Sequence, residues 1–428
     1  MFSTLRNAWK IPELRKKLLF TLMILFFFRV GGMIPVPFIN GDLLSAYYQA
    51  QLSTTVLGLL NAMSGSAFSQ ARLFALSIQP YINASIIIEL LTIAIPALER
   101  MAKEEGEEGR KKINKITRYT TIGIAFLTGL AYYFMLKNYG TSPSILKDTG
   151  IFPAIIIIIS FMAGASLVTW LGEQITDKGI GNGISMILFA GIISRVPQLI
   201  ATMISSLQDG TIQWYTCILL VLGVLLLIAF IAFITNAERR ISVQYAKRVV
   251  GRKVYGGQNT NLPIKVNMSG VLPIIFAQSI ASVPATICAF TGTTSGWWYE
   301  NVFDNSSTIY AIIYFLLIIA FSYFYASVQY NPVEIANNLK KNGGFIPGFR
   351  PGRPTAEFIA KTINKIVLFG AIFLAVVALL PIIAGNVIGV PSLAIGGTSV
   401  IIVVGVANET VQAIEAQMLM RHYKGFLD

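Results

Sequence analysis

GLLNAMSGSAFSQARLFALSIQPYINASIIIELLTIAIP, residues 58–96, joins two different pieces of chain. Residues 58–72 are small and polar, whereas residues 73–96 are mostly apolar. At about 1.5 Å per residue, the second piece spans roughly 36 Å as a helix, enough to cross a bilayer core. A short polar piece before a span is tolerated at membrane depth only inside protein or beside a watery cavity. The pattern alone fits a surface turn before an ordinary span equally well.

The composition is that of a membrane protein. Of 428 residues, 54% are hydrophobic and 12% are charged, and the charged share is about half that of a soluble domain. The apolar runs predict an all-α polytopic protein with ten transmembrane helices. The predicted spans are 18–38, 73–97, 113–136, 151–171, 180–205, 215–235, 270–290, 309–330, 363–383 and 388–407. The first run is too long for a cleaved signal peptide, so we expect it to be retained.

The basic residues predict the orientation of the spans. Of the 33 Lys and Arg residues, 28 lie in the two termini and the even-numbered loops, when the loops after spans two and eight are counted to Arg118 and Lys365. The positive-inside rule therefore places both termini and these loops in the cytoplasm. Ten spans in this orientation divide into two inverted five-helix halves, residues 1–205 and 206–428. Such an arrangement is typical of proteins with a site or pore between the halves.

Two even-numbered loops, about 237–268 and about 331–362, are too long to be simple connections. In the first, apolar and polar residues alternate over 241–245, which predicts a strand of a basic β-hairpin. The second is dense in Gly and Pro, which argues against regular helix and predicts a shaped loop with Arg350 and Arg353 at its tip. The charge of either loop also fits topology and solubility alone, but their length favours docking surfaces.

The sequence predicts neither a catalytic site nor a cofactor. Cys217 and Cys288 lie in apolar runs, and the only histidine, His422, lies in the C-terminal tail. We therefore expect no metal site, disulfide framework or His-based triad. No Walker A pattern (GxxxxGK[ST]) is present, so we expect no nucleotide site, and an enzyme is not predicted.

Two classes of function remain about equally open from the residues alone. The first is a passive channel for polypeptides, driven by partners that dock on the basic loops. The second is a small-solute secondary transporter, which would also use broken spans and inverted halves. The transporter hypothesis requires charges within the membrane, for which Arg29, Glu89 and Glu409 are the candidates.

Several segments resemble the SecY family, the central subunits of the bacterial protein-export channel. SGSAFSQARLFALSIQPYINASIII is similar to the family's plug and second span, GIGNGISMILFAGI to span five, NMSGVLPIIFAQS to span seven and GGTSVIIVVGV to span ten. The resemblance implies a short plug helix before the second span, which we call the plug segment (58–72). Its site residues are Asn61, Ser64, Gly65, Ser66, Ser69, Gln70 and Arg72. Small residues allow close packing, and the scarcity of large anchors predicts a segment that leaves its seat easily.

A pore for extended polypeptides must also exclude ions when it is shut, and an apolar constriction does so by dewetting. Ile78 and Ile82 are four residues apart and share a helix face, which Glu89 extends toward the cytoplasmic end. The resemblance implies a pore ring of Ile78, Ile82, Ile184, Leu188, Ile275 and Ile402. It also implies a lateral gate between spans two and three and spans seven and eight. The polar candidates near that gate are Thr92 and Gln278.

The resemblance further implies partners on the cytoplasmic side. RRISVQYAKRVVGRKVYGGQ and IPGFRPG are similar to family loops that contact the ribosome or the motor ATPase SecA. The implied contact residues are Arg239, Arg240, Lys247, Arg248, Arg252, Arg350 and Arg353. The other expected partners are the small membrane subunits SecE and SecG, a translocating polypeptide with its signal peptide, and membrane lipids. The expected location is the bacterial plasma (inner) membrane.

Overall fold

The computed structural model describes residues 2–49, 56–138, 145–210, 213–245, 248–250, 253–255, 259–268, 270–291, 296–298, 301–302, 307–388 and 391–424. Its helices are α1 Phe2–Lys10, α2 Pro12–Gly31, α3 Gly41–Tyr47, α4 Val56–Met63, α5 Gln79–Ala94, α6 Pro96–Lys103, α7 Gly106–Asn138, α8 Ile151–Lys178, α9 Gly183–Ile193, α10 Val196–Gln208, α11 Trp214–Asn236, α12 Leu272–Thr291, α13 Thr308–Gln329, α14 Pro332–Lys341, α15 Arg353–Ile388 and α16 Pro391–Lys424. Its strands are β1 Glu238–Tyr245, β2 Arg248–Val250, β3 Lys253–Tyr255, β4 Asn259–Lys265 and β5 Gly344–Phe345.

Each predicted span overlaps one helix or a consecutive pair of helices, but the helix of the first span ends at Gly31, seven residues before the predicted end. In the described part, seven helical segments are long and apolar enough to cross a membrane, or eight if α5 and α6 form one span. The other two spans correspond to α2, which carries four basic residues, and α12, whose apolar stretch covers only Leu272–Cys288. The predicted all-α polytopic fold is confirmed, together with a short helix before the second span and a small β-hairpin.

The second span differs from the prediction at both ends. Its helix α5 begins at Gln79, six residues later than predicted, because Ser77 adopts a left-handed backbone conformation (φ 50°) and Pro80 starts a new helix. At the other end Ile95 is extended (φ −109°, ψ 112°), since the following Pro96 disfavours helical geometry there. The chain therefore bends by 106° between α5 and α6. The fifth span is also interrupted, at 194–195, between α9 and α10.

The chain separates into two compact units. The first unit comprises residues 1–220, 282–310 and 381–428, and the second comprises residues 221–281 and 311–380. The predicted halves, 1–205 and 206–428, describe the inverted order of the spans and are not these two units. This division into halves stays a prediction.

One hydrophobic core of the first unit includes residues of α7, α8 and the plug segment. Tyr132 and Phe161 are fully buried at its centre, and Leu57 and Phe68 pack into the same cluster. A smaller cluster joins the N-terminal helices to α16, and its buried members are Ala8, Leu14, Ile180 and Ile414. The plug segment therefore packs against two long spans, α7 and α8, in the first unit.

The second unit contains a three-stranded sheet in the order β4-β1-β5 and a separate hairpin of β2 and β3. β1 pairs antiparallel with β4, from Glu238 opposite Lys265 to Gln244 opposite Asn259. The even-numbered residues of β1 are solvent-accessible, whereas Ile241 and Val243 are buried. The predicted alternation in β1 is therefore confirmed. The buried face packs against residues of α13, α14 and α15, namely Ala326, Ala336, Ile359 and Ile363.

The prediction that loop 331–362 lacks regular helix is wrong for most of its length. The side chain of Asn331 caps α14 by accepting hydrogen bonds from the backbone N–H groups of Val333 (3.1 Å) and Glu334 (3.4 Å). Pro332 at the first helical position favours the same start. The Gly and Pro residues restrict only 343–352, so Arg353 begins α15 rather than lying at a loop tip.

Candidate functional site

The plug segment is a short helix followed by turns rather than one helix. α4 ends at Met63, and the chain then turns through 64–78. Two of its predicted polar side chains stabilise this shape from within. The Asn61 Oδ1 accepts a hydrogen bond from the Ser69 N–H (2.9 Å), and the Ser64 hydroxyl accepts one from the Phe68 N–H (3.1 Å). These side chains are buried, so their hydrogen bonds are shielded from water.

Two glycines allow the plug segment to contact α9 through its backbone. A Cβ added at Gly191 of α9 would lie 2.2 Å from the carbonyl oxygen of Met63, well inside van der Waals contact. On the plug side, Gly65 has φ +63°, and a Cβ there would meet the Ser194 hydroxyl at 2.5 Å. The Arg29 Nη1 of α2 donates a hydrogen bond to the Gly65 carbonyl (3.0 Å). Arg29 therefore binds the plug backbone.

Phe68 anchors the plug segment, contrary to the expectation that it has few large anchors. The side chain is 1% exposed, and its ring lies edge-on to Tyr132, with centroids 4.8 Å apart. Tyr48 and Phe161 extend this aromatic cluster on either side. The Tyr132 hydroxyl also donates a hydrogen bond to the Phe68 carbonyl (2.6 Å). The loss of buried area when the segment leaves is therefore substantial.

The remaining plug residues form a polar edge. The Ser66 hydroxyl donates a hydrogen bond to the Gln198 Oε1 on α10 (3.1 Å), and Arg72 forms an isolated antiparallel bridge with Pro35. An open cavity of about 790 Å³ adjoins this edge. Its lining includes Arg29, Asn61, Gly65, Gln70, Arg72 and Arg195. The plug segment thus separates an apolar core from a water-accessible polar cavity.

Two of the predicted ring residues meet in the first unit. A Cβ added at Gly172 of α8 would lie 3.5 Å from the Cδ1 of Ile78 and from the Cγ1 of Ile184, so both side chains border the same point. The Cδ1 of Ile187 lies 3.3 Å from that position, and Ile187 was not among the predicted ring residues. Its signal is present in the sequence, because Ile187 is three residues after Ile184 on the same helix face.

The other four ring candidates are buried. Ile82, Leu188 and Ile402 belong to the first unit, and Ile275 belongs to the second. Ile78 is the N-cap residue of α5 and lies one turn before Ile82, whose N–H donates to the Ile78 carbonyl (3.1 Å). The complete ring stays a prediction.

The two lateral-gate candidates lie in different units. The Thr92 hydroxyl donates a hydrogen bond to the Ile88 carbonyl within α5 (2.7 Å), which is a common arrangement for threonine inside a helix. Gln278 is half-buried on α12 of the second unit. Their role at a gate stays a prediction.

The predicted docking arginines in the described part are exposed. Arg239 and Arg240 lie on β1, where Arg240 pairs with Glu238 (2.7 Å), and Arg353 pairs with Glu357 one turn along α15 (3.2 Å). Arg350 is exposed in the turn before α15. Lys247 and Arg252 lie outside the described residues, and of Arg248 only the backbone, in β2, is described.

Within the described ranges, no group of three or more His, Cys, Asp and Glu side chains is placed to bind a metal ion. Cys217 and Cys288 form no disulfide.

Apolar spanning helices, a broken second span and a short buried segment before it define the class of the chain, a multi-pass membrane protein with a channel-like fold. The chain belongs to the SecY family, whose family model matches residues 72–411. It is 42% identical over 440 residues to the protein translocase subunit SecY of Streptomyces coelicolor, and 42% identical over 435 residues to that of Bacillus subtilis. Both alignments cover 100% of each chain.

Solved structures share the fold at lower sequence identity. One is described as a protein conducting channel, with a TM-score of 0.65 and 18% identity over 94% of this chain and 92% of that one. Another concerns the plug domain of the SecY protein in its closed state, with a TM-score of 0.66 and 19% identity over the same shares. A third, Sec61 in the canine ribosome-channel complex, has a TM-score of 0.61 and 18% identity, again over 94% and 92%.

Proposed function

We propose that the chain is the central pore subunit of the Sec translocon, a passive channel that passes unfolded secretory polypeptides across the membrane. The observation that carries this proposal is its 42% identity, over its whole length, to bacterial protein translocase subunits. The contacts that hold the plug segment in place also support this proposal. Arg29, a candidate substrate-binding charge under the transporter hypothesis, instead donates to the plug backbone.

The proposed pore is closed by two devices. The first is a ring of branched aliphatic side chains from spans two, five, seven and ten, which excludes water and ions by dewetting. Its proposed members are Ile78, Ile82, Ile184, Leu188, Ile275 and Ile402. The meeting of Ile78 and Ile184 at Gly172 supports the first part of this ring. The second device is the plug segment, which leaves its seat when a polypeptide enters.

Spans of membrane proteins leave the proposed channel sideways, into lipid. Thr92 and Gln278 are the proposed polar residues near this lateral gate. The hydroxyl of Thr92 is bonded within its own helix, to the Ile88 carbonyl, so the helices at the gate can separate without breaking this hydrogen bond. The two inverted halves, 1–205 and 206–428, are the proposed bodies that separate when the gate opens.

Energy comes from partners, because the sequence has no Walker A pattern. We propose that the SecA ATPase or the ribosome docks on the cytoplasmic loops through Arg239, Arg240, Lys247, Arg248, Arg252, Arg350 and Arg353. Ribosome-bound Sec61 shares this fold, and cationic loops attract RNA phosphates. SecE and SecG are the proposed membrane subunits. The bacterial relatives and the charge bias support a plasma-membrane location with cytoplasmic termini.

Substitution of Arg350 by alanine tests the driving step. Arg350 is exposed in the turn before α15, so its loss removes a contact for the motor without disturbing the core. We expect the rate of SecA-driven translocation of an unfolded precursor into proteoliposomes to fall at least tenfold, equivalent to about 1.4 kcal/mol. The matched control is Lys365→Ala, which removes one exposed positive charge on α15. Equal rates for the two variants would contradict the assignment of Arg350.

A further inference from the structure

The polar cavity beside the plug segment collects positive charge. Its charged lining residues are Arg29 from α2, Arg72 from the plug segment and Arg195 from the break between α9 and α10. Serine, asparagine and glutamine supply most of the remaining polar lining, and no Asp or Glu of the described residues lines it. Three guanidinium groups around one cavity with no carboxylate generate a strongly positive potential.

One N–H group of these guanidinium groups lacks an acceptor in the described residues. The Nε of Arg195 is buried, and no described residue accepts a hydrogen bond from it. A buried donor without an acceptor is unfavourable, which favours a rotation of the Arg195 side chain that brings this N–H to an acceptor in the cavity that it lines. The Nη1 of Arg29 donates to the Gly65 carbonyl, which fixes that side chain at the cavity wall. The cavity is therefore lined by one arginine with an unsatisfied N–H group and by one arginine whose position is fixed.

We propose that this cavity binds an oxyanion of the phosphate class. A guanidinium group presents paired N–H donors that match phosphate oxygens. The cavity volume of about 790 Å³ far exceeds the space that one water molecule needs. It admits hydrated inorganic phosphate or the phosphate of a lipid headgroup, which share this chemistry.

Bound phosphate links the plug segment to its surroundings. Arg72 belongs to the plug segment, whereas Arg29 and Arg195 belong to spans one and five. An anion bound by all three arginines therefore stabilises the plug segment in its closed position. This consequence rests on the proposed function, but the binding itself does not.

The binding is tested by calorimetric titration of inorganic phosphate into the purified chain with its small membrane partners. The protein is held in a neutral maltoside detergent, at constant ionic strength set with chloride. We expect saturable binding that weakens at least tenfold in Arg195→Gln. Arg72→Gln is a second variant, which keeps the test valid if Arg195→Gln does not fold. The control is Arg110→Gln, an exposed arginine of α7 that lies away from the cavity.

A second titration identifies the source of the phosphate. In nanodiscs of phosphatidylglycerol, at least tenfold weaker binding of inorganic phosphate shows that lipid headgroups occupy the site, whereas unchanged binding identifies free phosphate. No saturable binding in detergent, or equal binding by the wild type and both cavity variants, would overturn the proposal. Because the heat of binding requires no transport, phosphate binding by a chain that conducts no polypeptide would refute the proposed function alone.

Discussion

Replacement of Phe68 by alanine is expected to open the closed channel to ions. Phe68 is 1% exposed and lies edge-on to Tyr132 in the aromatic cluster that holds the plug segment. Removal of a buried phenylalanine costs about 3 kcal/mol or more, which corresponds to a change of roughly 150-fold in an equilibrium between seated and displaced plug. We expect this change to appear as a rise of the open probability in planar-bilayer recordings without a translocating chain.

Two comparisons separate this effect from general destabilisation. Phe26→Ala removes the same side chain from a position on α2 that is 66% exposed, and it should leave the channel silent. Phe68→Leu keeps most of the buried volume and should restore most of the seal. A silent Phe68→Ala channel that still translocates precursors would show that Phe68 does not hold the plug segment.

Substitution of Gly191 by alanine is expected to displace the plug segment by collision. The added methyl group would lie 2.2 Å from the Met63 carbonyl oxygen, which is a backbone atom and cannot move without its helix. Overpacking of this kind costs on the order of 3 kcal/mol. We expect ion leakage comparable to that of Phe68→Ala, although Gly191→Ala adds repulsion and Phe68→Ala removes attraction.

The appropriate control for this substitution is Gly123→Ala. Gly123 lies inside α7, and a Cβ there would meet no atom within 4 Å, so alanine should be neutral or stabilising. Leakage is measured as dye or ion efflux from proteoliposomes. Efflux from Gly191→Ala at the level of Gly123→Ala would mean that α9 does not restrain the plug segment.

The sequence was sufficient where the signal is local. The two-residue period over 241–245 predicted β1, because alternation of burial is a property of any half-buried strand. The apolar runs predicted the polytopic fold, because a helix that crosses a membrane needs about 20 consecutive apolar residues. Loop 331–362 shows the limit of a compositional argument. The Asn331–Pro332 start signal of α14 was present, but the Gly and Pro content was averaged over the whole loop.

The candidate site required contacts between distant residues, which one sequence does not supply. Phe68 was overlooked as an anchor because its partner Tyr132 lies 64 residues further along the chain. Arg29 was recognised as a charge within the membrane, but its acceptor is the backbone carbonyl of Gly65 and not an acidic side chain. Ile78 and Ile184 were assigned by resemblance, and only the structure reveals Gly172 as the point that they share with Ile187.

The central claim is that the plug segment closes a channel. Its most direct test is the ion conductance, in planar bilayers, of the purified protein with its small membrane partners. The comparison is between the wild type and a deletion of residues 61–70, which removes Phe68 and the Gly65 carbonyl together. A channel sealed by the plug segment predicts a silent wild type and a deletion that opens intermittently to large, poorly selective currents. A silent deletion in a protein that exchanges a small solute against a proton or sodium gradient would contradict this account and favour a transporter.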